Sequence, residues 1–173
     1  ALHKYLANEY MCRALCFCVN KRHADFMAEQ LSLYGFNAQS LTSDTPSDKR
    51  KQLAKELREG AIHYLCVVDI FNEGVDIPEV DTVLFLRPTE SLTIFLQQLG
   101  RGLRLSVGKT ELTVLDFVAQ SNRKYDFASR FRALMLNPEK NIVKQIKDGF
   151  TLLPSGCSIV MEKKARQYIL DNI

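Results

Sequence analysis

The residues best suited to chemistry in this 173-residue sequence are two arginines, Arg101 and Arg104, which stand three positions apart. A guanidinium group is planar, permanently charged and able to make paired hydrogen bonds to phosphate oxygens. Gly100 and Gly102 flank Arg101, and glycine lets a backbone approach a ligand closely. Gln97 lies one helical turn upstream. The pattern favours a phosphate contact over the alternative, in which surface arginines only cap a helix end.

An acidic turn precedes this segment in the sequence, after an apolar run that ends at Val68. Within the turn, Asp76 can accept a hydrogen bond from a ribose hydroxyl, and Gly74 allows close backbone approach. The alternative is that Asp76 satisfies turn amides, as aspartate often does. We favour the nucleotide-binding interpretation.

Together these two segments resemble a known family. Gly74-Val75-Asp76 resembles motif V, and Gln97-x-x-Gly100-Arg101-x-x-Arg104 resembles motif VI, of superfamily 2 helicases. Residues 10 to 135 resemble the second RecA-like lobe of those proteins. The sequence of these segments is most similar to that of the branch that contains restriction-enzyme motor subunits and excision-repair helicases. The DEAD-box branch would begin motif VI with His-Arg, where this chain has Gln97-Gln98.

The resemblance implies a role for each of these residues. Arg101 and Arg104 would reach the terminal phosphate of ATP, Arg104 as an arginine finger, while Gln97 would order nucleotide or water. Gly74, Asp76 and Gly100 would contact the nucleotide. The loops after the first two strands would grip the sugar-phosphate backbone of one nucleic-acid strand through Asn20, Lys21, Arg22, Thr42 and Ser43. For each of these loop residues, an ordinary role in the turn is an equal alternative.

The rest of the chain predicts an α/β fold. Five apolar runs of strand length are separated by segments with helical periodicity, at residues 13–19, 36–41, 62–68, 81–86 and 111–117. This alternation predicts a mostly parallel sheet sandwiched by helices, RecA-like (P-loop NTPase-like) by resemblance. Ligands of such sheets bind at the carboxyl ends of strands, so we expect both motifs at that edge. We predict a lobe at 1–136 and a small helical carboxy-terminal extension at 137–173.

Local signals add detail to the predicted helices. A helix from Ala24 should carry an apolar stripe that extends to Tyr34, and it should end at Gly35. Another should begin with the Thr45 hydroxyl as cap and Pro46 as its first residue. A helix over 123–136 should turn Arg130 and Arg132 towards solvent, and Pro138 should open the next helix.

Composition narrows the class of protein only slightly. A net charge of +3 is compatible with nucleic acid but does not argue for it. Cys16 and Cys18 alternate on one strand and are expected to be buried, and no Cys-x-x-Cys pair suggests zinc, so we predict no metal site. Reduced thiols indicate a cytoplasmic protein. The sequence has no apolar run of transmembrane length, so no membrane partner is expected.

Gly108-Lys109-Thr110 imitates part of a phosphate loop, but that motif needs glycine where this chain has Leu103, so a tight turn is expected instead. The sequence also lacks a metal-binding acid box. By resemblance, ATP and Mg²⁺ would therefore be bound mainly by an amino-terminal RecA-like lobe, and this fragment alone should be inactive. The chain would be half of an ATP-dependent helicase or translocase acting on DNA, with RNA possible. The alternatives are a non-catalytic binding or scaffold module and a self-sufficient nucleotide enzyme that uses Gly108 to Thr110.

Overall fold

The computed structural model describes residues 1–68, 77–87, 97, 100, 104, 106–117, 126–155 and 157–173. The strands in these ranges are β1 (Ala14–Phe17), β2 (Ala38–Leu41), β3 (Tyr64–Val67), β4 (Thr82–Phe85) and β5 (Thr113–Asp116). The helices are α1 (Leu2–Tyr5), α2 (Lys21–Leu33), α3 (Ser47–Glu59), α4 (Phe127–Leu134), α5 (Ile142–Asp148) and α6 (Lys163–Leu170). The described residues fall into two compact units, one up to residue 117 and one from residue 126.

The first unit is built on one parallel sheet with the strand order β2-β3-β1-β4-β5. All residues of β1, β3 and β4 are buried. This burial on both faces explains why the three strands read as continuous apolar runs rather than as alternating sequences. The prediction of a parallel, helix-flanked α/β sheet is confirmed.

Helices α2 and α3 cover opposite faces of the sheet. The apolar stripe of α2, Ala24, Ala28 and Leu31, packs in one core cluster with Cys16 and Cys66. The chain moves from β1 outward to β2 and then back to β3, so right-handed crossovers require α3 on the other face. There α3 buries its own stripe, which is formed by Leu53 and Leu57.

Two local predictions for this unit are wrong. Tyr34 is 75% exposed, because α2 ends at Leu33 and the chain turns away at Gly35, whose φ is +85°. The Thr45 hydroxyl does not cap α3; it accepts a hydrogen bond from the backbone N–H of Thr42 at 3.0 Å. Pro46 is the cap residue and Ser47 begins the helix. The Thr45 hydroxyl therefore closes the β2–α3 loop, and α3 has no side-chain cap.

The second unit contains α4, α5 and α6, which pack through aromatic pairs. Phe131 and Phe150 lie with ring centroids 5.1 Å apart, and Phe127 meets Tyr168 edge-on at 6.1 Å. The prediction that Arg130 faces solvent is wrong, since it is only 5% exposed. It stands three residues after Phe127 and therefore shares its buried helix face.

The next helix of this unit also departs from its sequence signal. Asn141 caps α5 by accepting a hydrogen bond from the Lys144 N–H at 3.0 Å. The helix therefore begins at Ile142, and the prediction that it begins at Pro138 is wrong. The proposed domain boundary at residue 136 stays a prediction.

Candidate functional site

The carboxyl edge of the sheet collects the loops that leave β1, β2 and β3. Connections from β1 run to one side of the sheet and those from β3 and β4 run to the other, so the strand order reverses between β1 and β4. Such a switch point opens a crevice where ligands of open α/β sheets bind. Val68 directly follows β3 and is the last described residue before the acidic turn. Gly74 and Asp76, together with Arg101, lie outside the described residues.

Asn20 lies at this edge, where it caps α2. Its side-chain oxygen accepts a hydrogen bond from the His23 N–H at 2.9 Å, and the His23 ring nitrogen Nδ1 accepts one from the Val19 N–H at 3.1 Å. Asn20, Lys21 and Arg22 are all exposed. The positive end of the α2 dipole therefore points out of the sheet beside two cations, which is a favourable setting for an anion.

Lys21 is not isolated at this edge. Its Nζ lies 2.6 Å from Oδ1 of Asp44, in the loop after β2. Both side chains are largely exposed, at 47% and 74%, and exposed pairs of this kind contribute only about 0 to 1 kcal/mol. The pair joins the two candidate nucleic-acid loops, and it is weak enough for a phosphate to replace the carboxylate.

The loop after β2 is held mainly by its own hydrogen bonds. Thr42 is only 8% exposed and its hydroxyl accepts a hydrogen bond from the Asp44 N–H at 3.3 Å, so turn formation accounts for it. Ser43 is exposed. Arg50 donates to the carbonyl of Ser43 at 2.7 Å and to that of Thr45 at 2.6 Å. Sequence reasoning missed Arg50 because nothing in its neighbourhood distinguishes it from the other cations of α3.

The segment at residues 97–104, called the arginine segment below, has three described members, Gln97, Gly100 and Arg104, and all are exposed. Gln97 and Gly100 have helical backbone and, being three residues apart, share one helix face. A Cβ added to Gly100 would meet no atom within 4 Å, so the packing of the described residues does not require glycine there.

The sequence predicts that both motifs lie at the carboxyl edge of the sheet, but the backbone of Arg104 lies at the amino edge. Its carbonyl accepts a hydrogen bond from Nζ of Lys109 at 2.9 Å, and the same Nζ donates to the carbonyl of Pro78 at 3.2 Å. Pro78 and Lys109 precede β4 and β5, so this contact lies at the amino edge. The reason is topological, because a connection between parallel strands must return to the amino edge before the next strand begins.

Lys109 itself belongs to the turn that the sequence predicts. Gly108 has φ +81°, and the Lys109 N–H donates to the carbonyl of Ser106 at 3.2 Å. Two main-chain carbonyls occupy its ammonium group. These contacts do not favour the interpretation of Gly108 to Thr110 as a phosphate loop.

Four of the five cysteines are buried in the fold. Cys12, Cys16, Cys18 and Cys66 are buried thiols, and Cys157 is exposed. Burial raises the pKa of Cys12 to about 11, and a hydrogen bond with Cys66 together with burial raises the pKa of Cys18. Across the part of the chain that the structure describes, no group of three or more His, Cys, Asp or Glu side chains is arranged to hold a metal ion. Among those same residues, no helix has the length and apolar character needed to cross a membrane.

Known proteins resemble this chain in sequence. It matches the family described as "Helicase conserved C-terminal domain" over residues 1–106. It is 34% identical over 108 residues to the candidate ATP-dependent helicase IRC3 of Saccharomyces cerevisiae, covering 62% of this chain and 16% of that protein. It is also 34% identical over 103 residues to its counterpart irc3 of Schizosaccharomyces pombe, covering 60% of this chain and 17% of that protein. The chain thus spans about a sixth of the length of these relatives.

Solved structures share the fold. The E. coli DEAD-box protein SrmB superposes with a TM-score of 0.62 at 21% identity, over 92% of this chain and 88% of that one. The Hef helicase domain of Pyrococcus furiosus gives a TM-score of 0.53 at 22% identity, over 71% of this chain and 24% of that one. The predicted RecA-like fold and family are confirmed, while the finer assignment to a branch stays a prediction. The family match covers more than half of the sequence, and the chain therefore belongs to the helicase conserved C-terminal domain family.

Proposed function

We propose that this chain is the second motor lobe of an ATP-dependent helicase or translocase. It supplies Gln97, Arg101 and Arg104 to ATP held in a cleft against an amino-terminal RecA-like lobe. The observation that carries this proposal is that the family match runs to residue 106 and so includes the whole arginine segment. Every described member of that segment is exposed, as a group that reaches a ligand on another lobe must be.

The chemistry assigned to Arg104 is electrostatic. A guanidinium placed against the transferring phosphoryl group stabilises the charge that develops there, and such arginines contribute about 10³ to 10⁵ in rate. ATP and Mg²⁺ supply the reacting phosphate and its counter-charge, and the other lobe binds most of both. Gly74, Asp76 and Gly100 would complete the nucleotide contacts from this side. The sequence of this chain contains no phosphate loop, so we expect no turnover by it alone.

The carboxyl edge is proposed to grip one nucleic-acid strand. Asn20, Lys21, Arg22 and Ser43 are exposed there, and Thr42 shapes the loop that presents Ser43. Cations and amides in this setting bind the sugar-phosphate backbone without reading bases. We propose DNA as the substrate, following the branch resemblance. Four buried free thiols suit a reducing, cytoplasmic setting.

The decisive experiment measures ATP hydrolysis by this chain and by the longest natural protein that contains it, with and without single-stranded DNA or RNA. Turnover that nucleic acid stimulates only in the long protein supports the proposal. Silence in both would favour the non-catalytic binding module. Turnover by the isolated chain would show that it carries its own phosphate site.

A variant tests the arginine directly in the long protein. Arg104→Ala should lower kcat by about 10³-fold while nucleic-acid binding stays intact, because the interaction is made mainly in the transition state. Lys51→Ala, which changes an exposed cation on α3, is the matched control and should leave kcat unchanged. Equal kcat values for the two variants would refute the role given to Arg104.

A further inference from the structure

The side chain of Lys109 joins two separate segments of the chain by hydrogen bonds, and neither the arginine motif nor the turn at Gly108 accounts for these bonds. Its Nζ donates to the carbonyl of Arg104 at 2.9 Å and to the carbonyl of Pro78 at 3.2 Å. An ammonium group is a compact charge with three donors, so one lysine can bridge two carbonyls from different segments. The two acceptors are 26 residues apart in the sequence, and Lys109 brings them to one point.

The surroundings of this ammonium group are built to keep it in place. Burial lowers the pKa of Lys109, and the nearby carboxylates of Asp81 and Glu79 oppose that effect. Asp81 is itself fixed, since it accepts hydrogen bonds from the Arg13 N–H at 2.9 Å and from the Thr82 hydroxyl at 2.8 Å. Glu79 lies 3.5 Å from Nε of Arg58. The charge is therefore partly desolvated and held between groups with fixed positions.

One of the two bridged residues is Arg104, which the proposed function assigns to the terminal phosphate of ATP. Pro78 follows the Gly74–Asp76 turn by two residues, and Arg104 is the last arginine of the motif. Both bonds are made to main-chain oxygens. They fix where the Arg104 backbone lies, and Arg104 is an exposed residue.

We propose that Lys109 is a positioning residue: by tying the Arg104 carbonyl to that of Pro78, it fixes the backbone from which the Arg104 side chain reaches ATP. The proposal rests on the proposed function of Arg104. It also gives Lys109 a role unrelated to the phosphate-loop lysine that its sequence context imitates.

A double-mutant cycle in the longest natural protein tests the proposal. Lys109→Met keeps the apolar stem and removes the ammonium. It should lower kcat for ATP hydrolysis, by on the order of 10²-fold at most, with little change in KM, because misplacing a transition-state group has this size of effect. Lys109→Arg, which keeps donors and charge, should recover part of the loss. In an Arg104→Ala background, Lys109→Met should cause no further loss of kcat.

Arg13→Met provides the matched control. Arg13 also lies at the amino edge and donates to a main-chain carbonyl, that of Arg58, at 3.0 Å. Its removal should lower thermal stability, and any effect it has on kcat should add to that of Arg104→Ala. If Lys109→Met does not fold, Lys109→Gln, which keeps amide donors on a shorter stem, takes its place in the cycle.

The outcomes separate the two proposals. Losses from Lys109→Met and Arg104→Ala that add in full would show that Lys109 serves only the fold, and this inference would be wrong while the role of Arg104 stands. An unchanged kcat in Lys109→Met beside a large loss in Arg104→Ala would mean the same. An unchanged kcat in Arg104→Ala would overturn both.

Discussion

Replacing Gly100 by alanine should separate stability from activity. Gly100 is exposed, its backbone is helical, and a Cβ built on it meets no atom within 4 Å. Alanine is favoured over glycine in a helix by up to about 1 kcal/mol. For a chain of this size, such a gain raises the unfolding temperature by roughly 2 to 4 °C. If the absence of a side chain at Gly100 makes room for nucleotide or for the other lobe, the same variant should also show lower ATP turnover.

The assay has two halves and an internal control. Thermal unfolding of the chain gives the stability change, and ATP turnover of the longest natural protein gives the functional one. Gly35→Ala is the matched stability control, because Gly35 also has no neighbour within 4 Å but has φ +85°. Alanine at such an angle costs about 1 to 2 kcal/mol, so its unfolding temperature should fall.

Either half can contradict the reasoning. A lower unfolding temperature for Gly100→Ala would show that the helical, open setting of this residue is wrong. A higher unfolding temperature with unchanged turnover would show that no ligand approaches the glycine, and Gly100 would lose its place among the nucleotide contacts.

Three further predictions concern charges and thiols. Asp44→Asn should release Lys21 for phosphate, strengthening single-strand binding and steepening its salt dependence by up to about 0.7 in log–log slope; an unchanged titration would contradict this. Asp126 caps α4 by accepting a hydrogen bond from the Ser129 N–H at 2.9 Å, so Asp126→Ala should lower the free energy of unfolding by about 1 kcal/mol near neutral pH. Hydrogen bonds from Ser129 lower the pKa of Asp126, so this stabilisation is present above the usual value of 3.8 and is lost as pH falls through the folded value; urea unfolding across that range checks it. Near about pH 8, a thiol reagent should modify only Cys157 in the folded chain and all five cysteines after unfolding.

Much of the fold could be predicted because its signals are local. A strand that is covered on both faces must be apolar throughout, and the runs that contain β1, β3 and β4 are apolar throughout. The end of α3 at Gly60 is equally local, since only glycine readily adopts its φ of +79°. The strand lengths were overestimated, because the runs chosen from the sequence extend beyond the residues that pair in the sheet.

The misses share a different cause. Thr45 is an ordinary cap residue by type, yet its hydroxyl closes the loop to Thr42. Arg130 is charged, yet its helix position places it in the interior. In each case, two local preferences compete, and packing that the sequence does not display decides between them.

The sequence by itself determined the family, the alternation of strands and helices, and the spacing of the arginines, because each is a matter of residue types at short, regular spacings. Only the tertiary structure decided the strand order, the pairing of Lys21 with Asp44 and the bridge from Lys109 to Pro78, a residue 31 positions away. Such contacts depend on how parallel strands return across the sheet. A hydrogen bond between segments far apart in sequence leaves no local pattern, and so the bond from Lys109 to Pro78 appears only when the chain is folded.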